Sequence, residues 1–179
     1  MNTIECIKTR RSIRSYNSQP VDRELLTKVV EAASYAPSWK NTQVTRYIAI
    51  DNKEVKDMIC DNACPYPHNA DIIRQAPVLV VTTMVRNRSG YERDGSFTTP
   101  KGKGWQMYDC GIAGQTFCLA AHEYGLSTLI MGIFDEAKVS EILNVPEDQE
   151  VCALIAVGYT DTNPDAPKRK TTDDLLKFV

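Results

Sequence analysis

The stretch Arg10–Tyr16 contains three arginines and two serines within seven residues, directly after a short predicted helix. Guanidinium groups donate paired hydrogen bonds whose geometry matches the oxygens of a phosphate. The stretch therefore has the chemistry to bind an anionic ligand. The competing interpretation is a solvated surface cluster, because most runs of charge lie on protein surfaces.

Other polar segments could contribute to such a site. They are the loop Pro37–Gln43, the single Asn69, the turn Met131–Gly132 and the basic run Lys168–Lys170. Each of them alone also fits an ordinary structural role, such as a turn, a helix cap or a solvated tail. Their meaning therefore depends on how they are arranged together.

Groups that usually perform catalysis are sparse. The chain has only two histidines, His68 and His122, which leaves little material for a serine or cysteine triad. No Gly-x-Gly-x-x-Gly fingerprint is present, since Met107 stands where the third glycine after Gly102 and Gly104 should be. We expect no catalytic side chain, and if the protein is an enzyme a cofactor carries the chemistry.

The six cysteines are spread along the chain, mostly among apolar neighbours, as is typical of buried thiols in a reducing compartment. Cys60, Cys64 and His68 have the spacing of one helix face, which could indicate a metal site. However, Pro65 and Pro67 interrupt any helix between them. We therefore expect ordinary thiols and no metal, and a redox role for Cys60 or Cys64 stays open.

Size and composition predict a globular protein with one domain, residues 1–179. Apolar residues make up 42% and charged residues 25% of the sequence, and the formal net charge is -2. That charge provides no basic field for nucleic acid. No signal-peptide pattern and no membrane-length apolar run occur, so we expect a cytoplasmic protein without a membrane partner.

Hydrophobic periodicity predicts alternating helices and strands around a small sheet. Helices are predicted at residues 2–9, with Ile4 and Ile7 inward, and at 22–35, 53–62, 69–75, 105–124 and 135–143; strands are predicted at 44–51, 77–84, 126–131 and 150–159. The segment Arg86–Gly104 has no periodicity, so we expect an irregular loop and a candidate lid. The small-residue helix at 105–124 predicts either deep burial or packing against another subunit, and the apolar end Leu175–Val179 predicts docking on a neighbouring subunit.

Taken in order, these segments resemble the nitroreductase family of flavin mononucleotide (FMN) oxidoreductases. The matching residues are Arg10, Ser12, Arg14 and Tyr16; Pro37, Ser38, Asn41 and Gln43; Asn69; Asp109, Gly111, Ala113 and Gln115; Gly132; and the C-terminal basic cluster. The resemblance covers nearly the whole chain. It implies an α+β fold with a small, mostly antiparallel sheet flanked by helices, and a homodimer that exchanges its C-terminal tails.

The resemblance also implies roles for individual residues. The FMN phosphate and ribityl chain would be held by Arg10, Arg11, Ser12, Lys168, Arg169 and Lys170. Arg14 would contact the N1/O2 edge of the flavin ring and Asn69 its pyrimidine edge. The backbone at Met131 and Gly132 would contact the N5/O4 edge. Pro37, Ser38, Trp39 and Asn41 would come from the other subunit. Tyr16 is assigned to packing.

The activity implied is a ping-pong reaction, in which NADH or NADPH passes hydride to flavin N5 and a nitroaromatic or quinone-like acceptor is then reduced. Two residues depart from the family pattern. Trp39 replaces a second serine and would narrow or line the substrate face, and Ile72 replaces a basic residue found near the ring in some members, which leaves Arg14 more alone in tuning the flavin. The alternatives are a specialised enzyme of the same fold, of the reductive dehalogenase or flavin-fragmenting type, or a non-catalytic flavin-binding protein.

Overall fold

The computed structural model describes residues 2–179. Its helices are α1 (Thr3–Thr9), α2 (Arg23–Ala33), α3 (Lys53–Ala63), α4 (Pro67–Gln75), α5 (Gly104–Glu123), α6 (Glu136–Leu143) and α7 (Thr172–Leu175), and its strands are β1 (Thr45–Ile50), β2 (Val78–Val85), β3 (Ser127–Met131) and β4 (Gln149–Gly158). A short turn at Trp39–Asn41 precedes β1. Within the described chain, no helix is both long enough and apolar enough to span a bilayer.

The four strands form one sheet in the order β1-β2-β4-β3, and all neighbouring pairs are antiparallel. Side chains alternate between the two faces of a strand. Leu79 and Leu154 accordingly point into a core beneath α3, α4 and α6, whereas Val80 and Ile155 point into a core with α2 and α5. This architecture confirms the predicted α+β fold with helices flanking an antiparallel sheet.

Local sequence signals explain most helix boundaries. Asp22 and Asp135 cap α2 and α6, because each carboxylate accepts a hydrogen bond from a backbone N–H in the first turn. Helix α4 begins at Pro67, two residues before the predicted start. Proline is tolerated at the first helical position, where its missing N–H would have had no partner inside the helix.

The prediction that Ile4 and Ile7 face inward is wrong for the single chain, because they are 60% and 51% exposed. Instead Cys6 is the buried residue of α1, and its thiol donates a hydrogen bond to the Leu119 carbonyl of α5 at 3.4 Å. Helix α1 therefore packs on α5 through its opposite face and presents apolar side chains outward.

The segment Arg86–Gly104 is a compact loop that packs on the start of α5. Tyr91 and Phe97 form an antiparallel bridge, and their rings lie 4.9 Å apart. Gly90 has a φ of 82°, and an added Cβ there would lie 2.6 Å from the Gly102 carbonyl oxygen. The folded form of segment 86–104 therefore depends on turns and close backbone contacts. Hydrophobic periodicity does not detect such contacts, so the sequence predicted only an irregular loop.

Candidate functional site

The arginine-serine stretch lies along the free edge of β3. Ser12 forms a parallel bridge with Thr128, and the Ile13 N–H donates to the Thr128 carbonyl at 3.1 Å. Ile13 and Tyr16 are buried, whereas Ser12 and Arg14 are exposed. The apolar residues thus fasten the stretch to the sheet edge and turn the polar groups toward solvent.

Tyr16 has the packing role that was assigned to it. Its hydroxyl lies 3.1 Å from both the Ile13 and the Ala156 carbonyl oxygens. Gly158 lies against the ring, since a Cβ added there would come 2.9 Å from Tyr16 and 2.5 Å from Pro77. The contact leaves no room for a side chain and fixes where the arginine stretch leaves the sheet.

Three basic side chains converge at this corner. Arg10, Arg11 and His122 line a small polar cavity of about 90 Å³, together with Thr9 and Thr128. The Arg11 guanidinium donates to the carbonyls of Lys8 (2.7 Å) and Arg10 (2.9 Å). Its Nε is buried and has no hydrogen-bond partner among the described residues. Buried donors are nearly always satisfied, so this corner has capacity for an added acceptor.

His122, in the last turn of α5, was not predicted as part of this site. Its Nε2 lies 2.8 Å from the Thr9 hydroxyl. Burial and then the charge of Arg10 lower the pKa of His122, with a further lowering by Arg11 and an opposing effect of Glu123. A histidine near the C-terminus of a helix normally favours its charged form, so burial first, and the charge of Arg10 second, outweigh the effect of the helix end on the pKa of His122.

The end of β3 and the start of α4 lie on the same side of the sheet as the Ile13 side chain. Ile13, Ala70 and Met131 belong to one buried cluster, which places Asn69 and Gly132 beside residues of that cluster. Gly132 is exposed, and an added Cβ would meet nothing within 4 Å. Asn69 lies inside the first turn of α4, whose cap is Tyr66, so a capping role for Asn69 is excluded.

The loop 38–43 lies at the opposite corner of the sheet. Thr128, the partner of Ser12, pairs with Val157 of β4, whereas Thr45, just after the loop, aligns through β2 with Glu150 of β4. The two corners are separated by three strand spacings across the sheet and by seven residues along the strands. Together these displacements amount to roughly 27 Å. One chain therefore does not bring Pro37–Asn41 to the arginine corner.

The basic run Lys168–Lys170 is exposed in the C-terminal tail. The tail leaves the sheet at the arginine corner, where the Asn17 N–H donates to the Tyr159 carbonyl at 2.9 Å and where Thr160 and Asn163 line the small cavity. Further along, the exposed side chains include Leu175, Leu176, Phe178 and Val179. The structure does not bring the basic run against Arg10 within one chain.

A large groove of about 690 Å³ runs along β1, the other edge strand, beside α2. Its apolar walls include Leu26, Val30, Val44, Ala49 and Val80. Pro37, Ser38 and Gln43 also line the groove, so the loop 38–43 borders it. An edge strand next to an apolar wall offers backbone hydrogen bonds and side-chain pockets to a further extended segment.

Cys60 and Cys64 are held as ordinary thiols. The Cys60 thiol donates to the Ala70 carbonyl at 3.4 Å, and burial raises its pKa. Burial also raises the pKa of Cys64 to about 11. Both thiols are therefore protonated at neutral pH, and a protonated thiol is a poor nucleophile. Within residues 2–179, no three side chains of His, Cys, Asp or Glu form a cluster that could hold a metal ion.

Asp109 is a second functional candidate that was not predicted as a site residue. It lies one helical turn into α5 and is only 4% exposed. Its carboxylate accepts hydrogen bonds from the Trp39 N–H at 2.9 Å and the Ser89 hydroxyl at 2.5 Å. The sequence contained a signal, since a lone charge on an otherwise apolar helix is rarely buried without a specific partner.

Comparisons with known proteins cover almost all of this structure. The model of the Nitroreductase family matches residues 7–66 and 64–159. A Methanothermobacter thermautotrophicus protein with the provisional name NADH dehydrogenase/NAD(P)H nitroreductase is 31% identical over 168 residues, 92% of this chain and 80% of its own. A Bacillus subtilis FMN reductase [NAD(P)H] is 32% identical over 165 residues, 87% of this chain and 65% of its own.

A solved structure matches the fold over the full length. The Desulfovibrio desulfuricans protein crystallised in complex with FMN superposes with a TM-score of 0.77 at 25% identity, and the match covers 100% of this chain and 98% of that one. The matched span therefore extends through the C-terminal tail.

Proposed function

The chain belongs to the Nitroreductase family, and on that premise we propose that it is an FMN-dependent NAD(P)H oxidoreductase that works as a homodimer. The observation that carries the proposal is the convergence of Arg10, Arg11 and His122 on one small polar cavity beside the edge of β3. Relatives named FMN reductase and a family structure that contains FMN support the identity of the ligand.

The residues at this corner fit the phosphate end of FMN. A dianion is best stabilised by several charge-assisted donors, and both Arg10 and Arg11 line the cavity. The buried Arg11 Nε provides an unused donor. Ser12, which is exposed, adds a hydroxyl. The tail leaves the sheet at this corner, so Lys168–Lys170 can return to the same phosphate.

The ring would lie from this corner toward the end of β3. Arg14 is exposed, and its guanidinium donates to the Ser12 carbonyl at 3.3 Å, a contact that it can exchange for the N1/O2 edge. Asn69 would bind the pyrimidine edge, and the backbone at Met131 and Gly132 would approach N5/O4, where the open space around Gly132 permits close contact. When bound, FMN supplies the two-electron redox chemistry at N5 that couples oxidation of NAD(P)H to reduction of an acceptor.

The separation of the two corners supports the proposed dimer. Because loop 38–43 lies roughly 27 Å from the arginine corner of its own chain, we assign Pro37, Ser38, Trp39 and Asn41 to the flavin site of a partner subunit. The groove along β1 would accept the partner's tail, whose residues Leu175–Val179 are exposed in the single chain. The outward apolar residues Ile4 and Ile7 of α1 would be covered in the same assembly.

We further propose a nitroaromatic or quinone-like acceptor that takes the place of the nicotinamide. The chain's own contribution is to bind the two substrates in turn, orient them and exclude water. No side-chain acid or base is required at the ring. Trp39, contributed by the partner's loop, would form an aromatic wall of the substrate face, which favours flat acceptors over bulky ones.

The test is flavin uptake followed by anaerobic reduction. Protein reconstituted with FMN should be yellow, should elute as a dimer, and should bleach without oxygen on addition of NADH or NADPH. Arg10→Ala should weaken FMN binding by about tenfold to a hundredfold, the loss expected for one charge-assisted hydrogen bond. Lys28→Ala, an exposed cation on α2, should bind normally. Protein that takes up no FMN, or FMN bound equally well without Arg10, would contradict the proposal.

A further inference from the structure

A buried carboxylate ties the loop 38–43 to the long helix. Asp109 Oδ2 accepts hydrogen bonds from the Trp39 backbone N–H (2.9 Å) and from the Ser89 hydroxyl (2.5 Å). Asp109 is 4% exposed and Ser89 fully buried. Because these two partners belong to different loops, one side chain of α5 fixes loop 38–43 and segment 86–104 relative to the same helix.

The hydrogen-bond directions around Ser89 follow from its single proton. Ser89 donates this proton to the carboxylate, so the Thr42 hydroxyl, 2.7 Å away, must be the donor in the remaining contact. The hydrogen bonds therefore run in one direction, from the Thr42 hydroxyl to the Ser89 hydroxyl and from there to the Asp109 carboxylate. Hydrogen bonds to a charged acceptor are about twice as strong as neutral ones, so the carboxylate anchors both ends of the loop.

The loop needs such an anchor because its backbone is strained. Lys40, Asn41 and Gln43 have φ values of 47°, 55° and 47°, in the left-handed region that favours glycine. Conformations of this kind persist only where the surroundings determine them. The Gln43 N–H donates to the Ser38 hydroxyl at 2.9 Å, which closes the loop on itself, and Asp109 supplies the contact to the helix.

The anchored loop carries an aromatic pair. The rings of Trp39 and Trp105 lie 5.0 Å apart with a tilt of 45°, and the Trp105 indole donates to the Thr99 hydroxyl at 2.8 Å. The Trp39 indole nitrogen is buried and has no partner among the described residues. A salt bridge of 3.3 Å from Lys40 to Glu92 adds a second link between the loop and segment 86–104.

We propose that Asp109 is a positioning residue, which holds Trp39 at the angle required to form the acceptor-binding face of the partner subunit's flavin site. This inference rests on the proposed function. Asp109 touches neither cofactor nor acceptor; it acts through the Trp39 backbone and through Ser89. Its effect should therefore appear in the binding of the acceptor rather than in the binding of the FMN phosphate at the arginine corner.

The two tryptophans make the inference directly measurable. Trp39 and Trp105 are the only tryptophans of the chain, so selectively excited tryptophan emission, and the near-ultraviolet circular dichroism at wavelengths longer than the tyrosine bands, report on this pair. Asp109→Asn keeps the size of the side chain and removes the charge. In the FMN-free protein it should reduce the dichroic signal of the pair and shift its emission to the red, and Ser89→Ala should do so to a smaller extent.

The kinetic measurement uses menadione as acceptor with FMN and NADH or NADPH saturating. Asp109→Asn should raise the KM for menadione about tenfold, the effect expected for a lost charge-assisted hydrogen bond, with kcat within about twofold. Asp71→Asn, an exposed carboxylate on α4, is the matched control and should change neither property.

An unchanged tryptophan signal in Asp109→Asn would overturn the inference, since the loop would not depend on the carboxylate. An altered signal with an unchanged KM, or a lowered melting temperature alone, would also overturn it and leave Asp109 a structural residue. A wild-type protein that binds no FMN would instead contradict the proposed function. In that case the FMN-free tryptophan signal still decides whether Asp109 holds the loop.

Discussion

Replacement of Phe178 by alanine tests the proposed exchange of C-terminal tails. The Phe178 side chain is 88% exposed in the single chain, near the end of a tail without a core of its own. Burying a phenylalanine stabilises by about 1.5–3 kcal/mol, so burial in the partner's groove along β1 is worth about 2 kcal/mol for each tail. A twofold dimer buries two tails and would lose about 4 kcal/mol in Phe178→Ala.

This loss corresponds to about a thousandfold weaker dimer, at about 1.4 kcal/mol per factor of ten. The measurement is sedimentation velocity over a dilution series, on protein without and with FMN. Met58→Ala removes another exposed apolar side chain, 49% exposed and located in α3, and should leave the dissociation constant unchanged. A Phe178→Ala protein that dissociates at the same concentration as wild type would refute the tail exchange, and a monomeric wild type would refute the dimer itself.

Two further predictions concern the arginine corner. Arg14→Ala should lower the reduction potential of the bound flavin by about 30–60 mV, measured by spectroelectrochemical titration. A charged hydrogen bond contributes about 1.5–3 kcal/mol, and about 1.4 kcal/mol corresponds to 30 mV for a two-electron couple. Burial and the charge of Arg10 hold the pKa of His122 below its ordinary value, and a bound phosphate would raise that pKa. Binding then takes up a proton, so FMN affinity should increase as the pH falls from about 8 to about 6.5, by at most tenfold per unit.

The controls for these two predictions differ. Arg14→Lys keeps a cation at the same place and should retain most of the potential; an unchanged potential in Arg14→Ala would remove the role of this residue. For the pH dependence, His122→Asn should abolish the slope, and riboflavin, which has no phosphate, should show none. A slope that persists in His122→Asn would assign the titration to another group. The range stays above the second phosphate pKa of about 6, so that the ligand keeps its charge.

The sequence by itself determined most of the elements and the two buried faces of the central strands, but not the face of α1 that is buried. In β2 and β4, runs of apolar residues at alternating positions fill two cores, so the pattern already required a sheet covered on both sides. Local signals set the helix ends within a few residues. Asp22 and Asp135 cap the starts of α2 and α6, and α5 ends shortly before Gly125, which has a φ of 80°. These are local effects, decided by contacts within a few residues along the chain.

Only the tertiary structure decided how the polar segments combine. His122 joins Arg10 and Arg11 because α1 packs on the C-terminal end of α5, a contact between residues more than 110 positions apart in sequence. Asp109 became the anchor of a strained loop through two partners that periodicity could not locate. The strand order β1-β2-β4-β3 places loop 38–43 diagonally opposite the arginines. Such placements arise from packing between segments far apart in the sequence, which local periodicity does not encode.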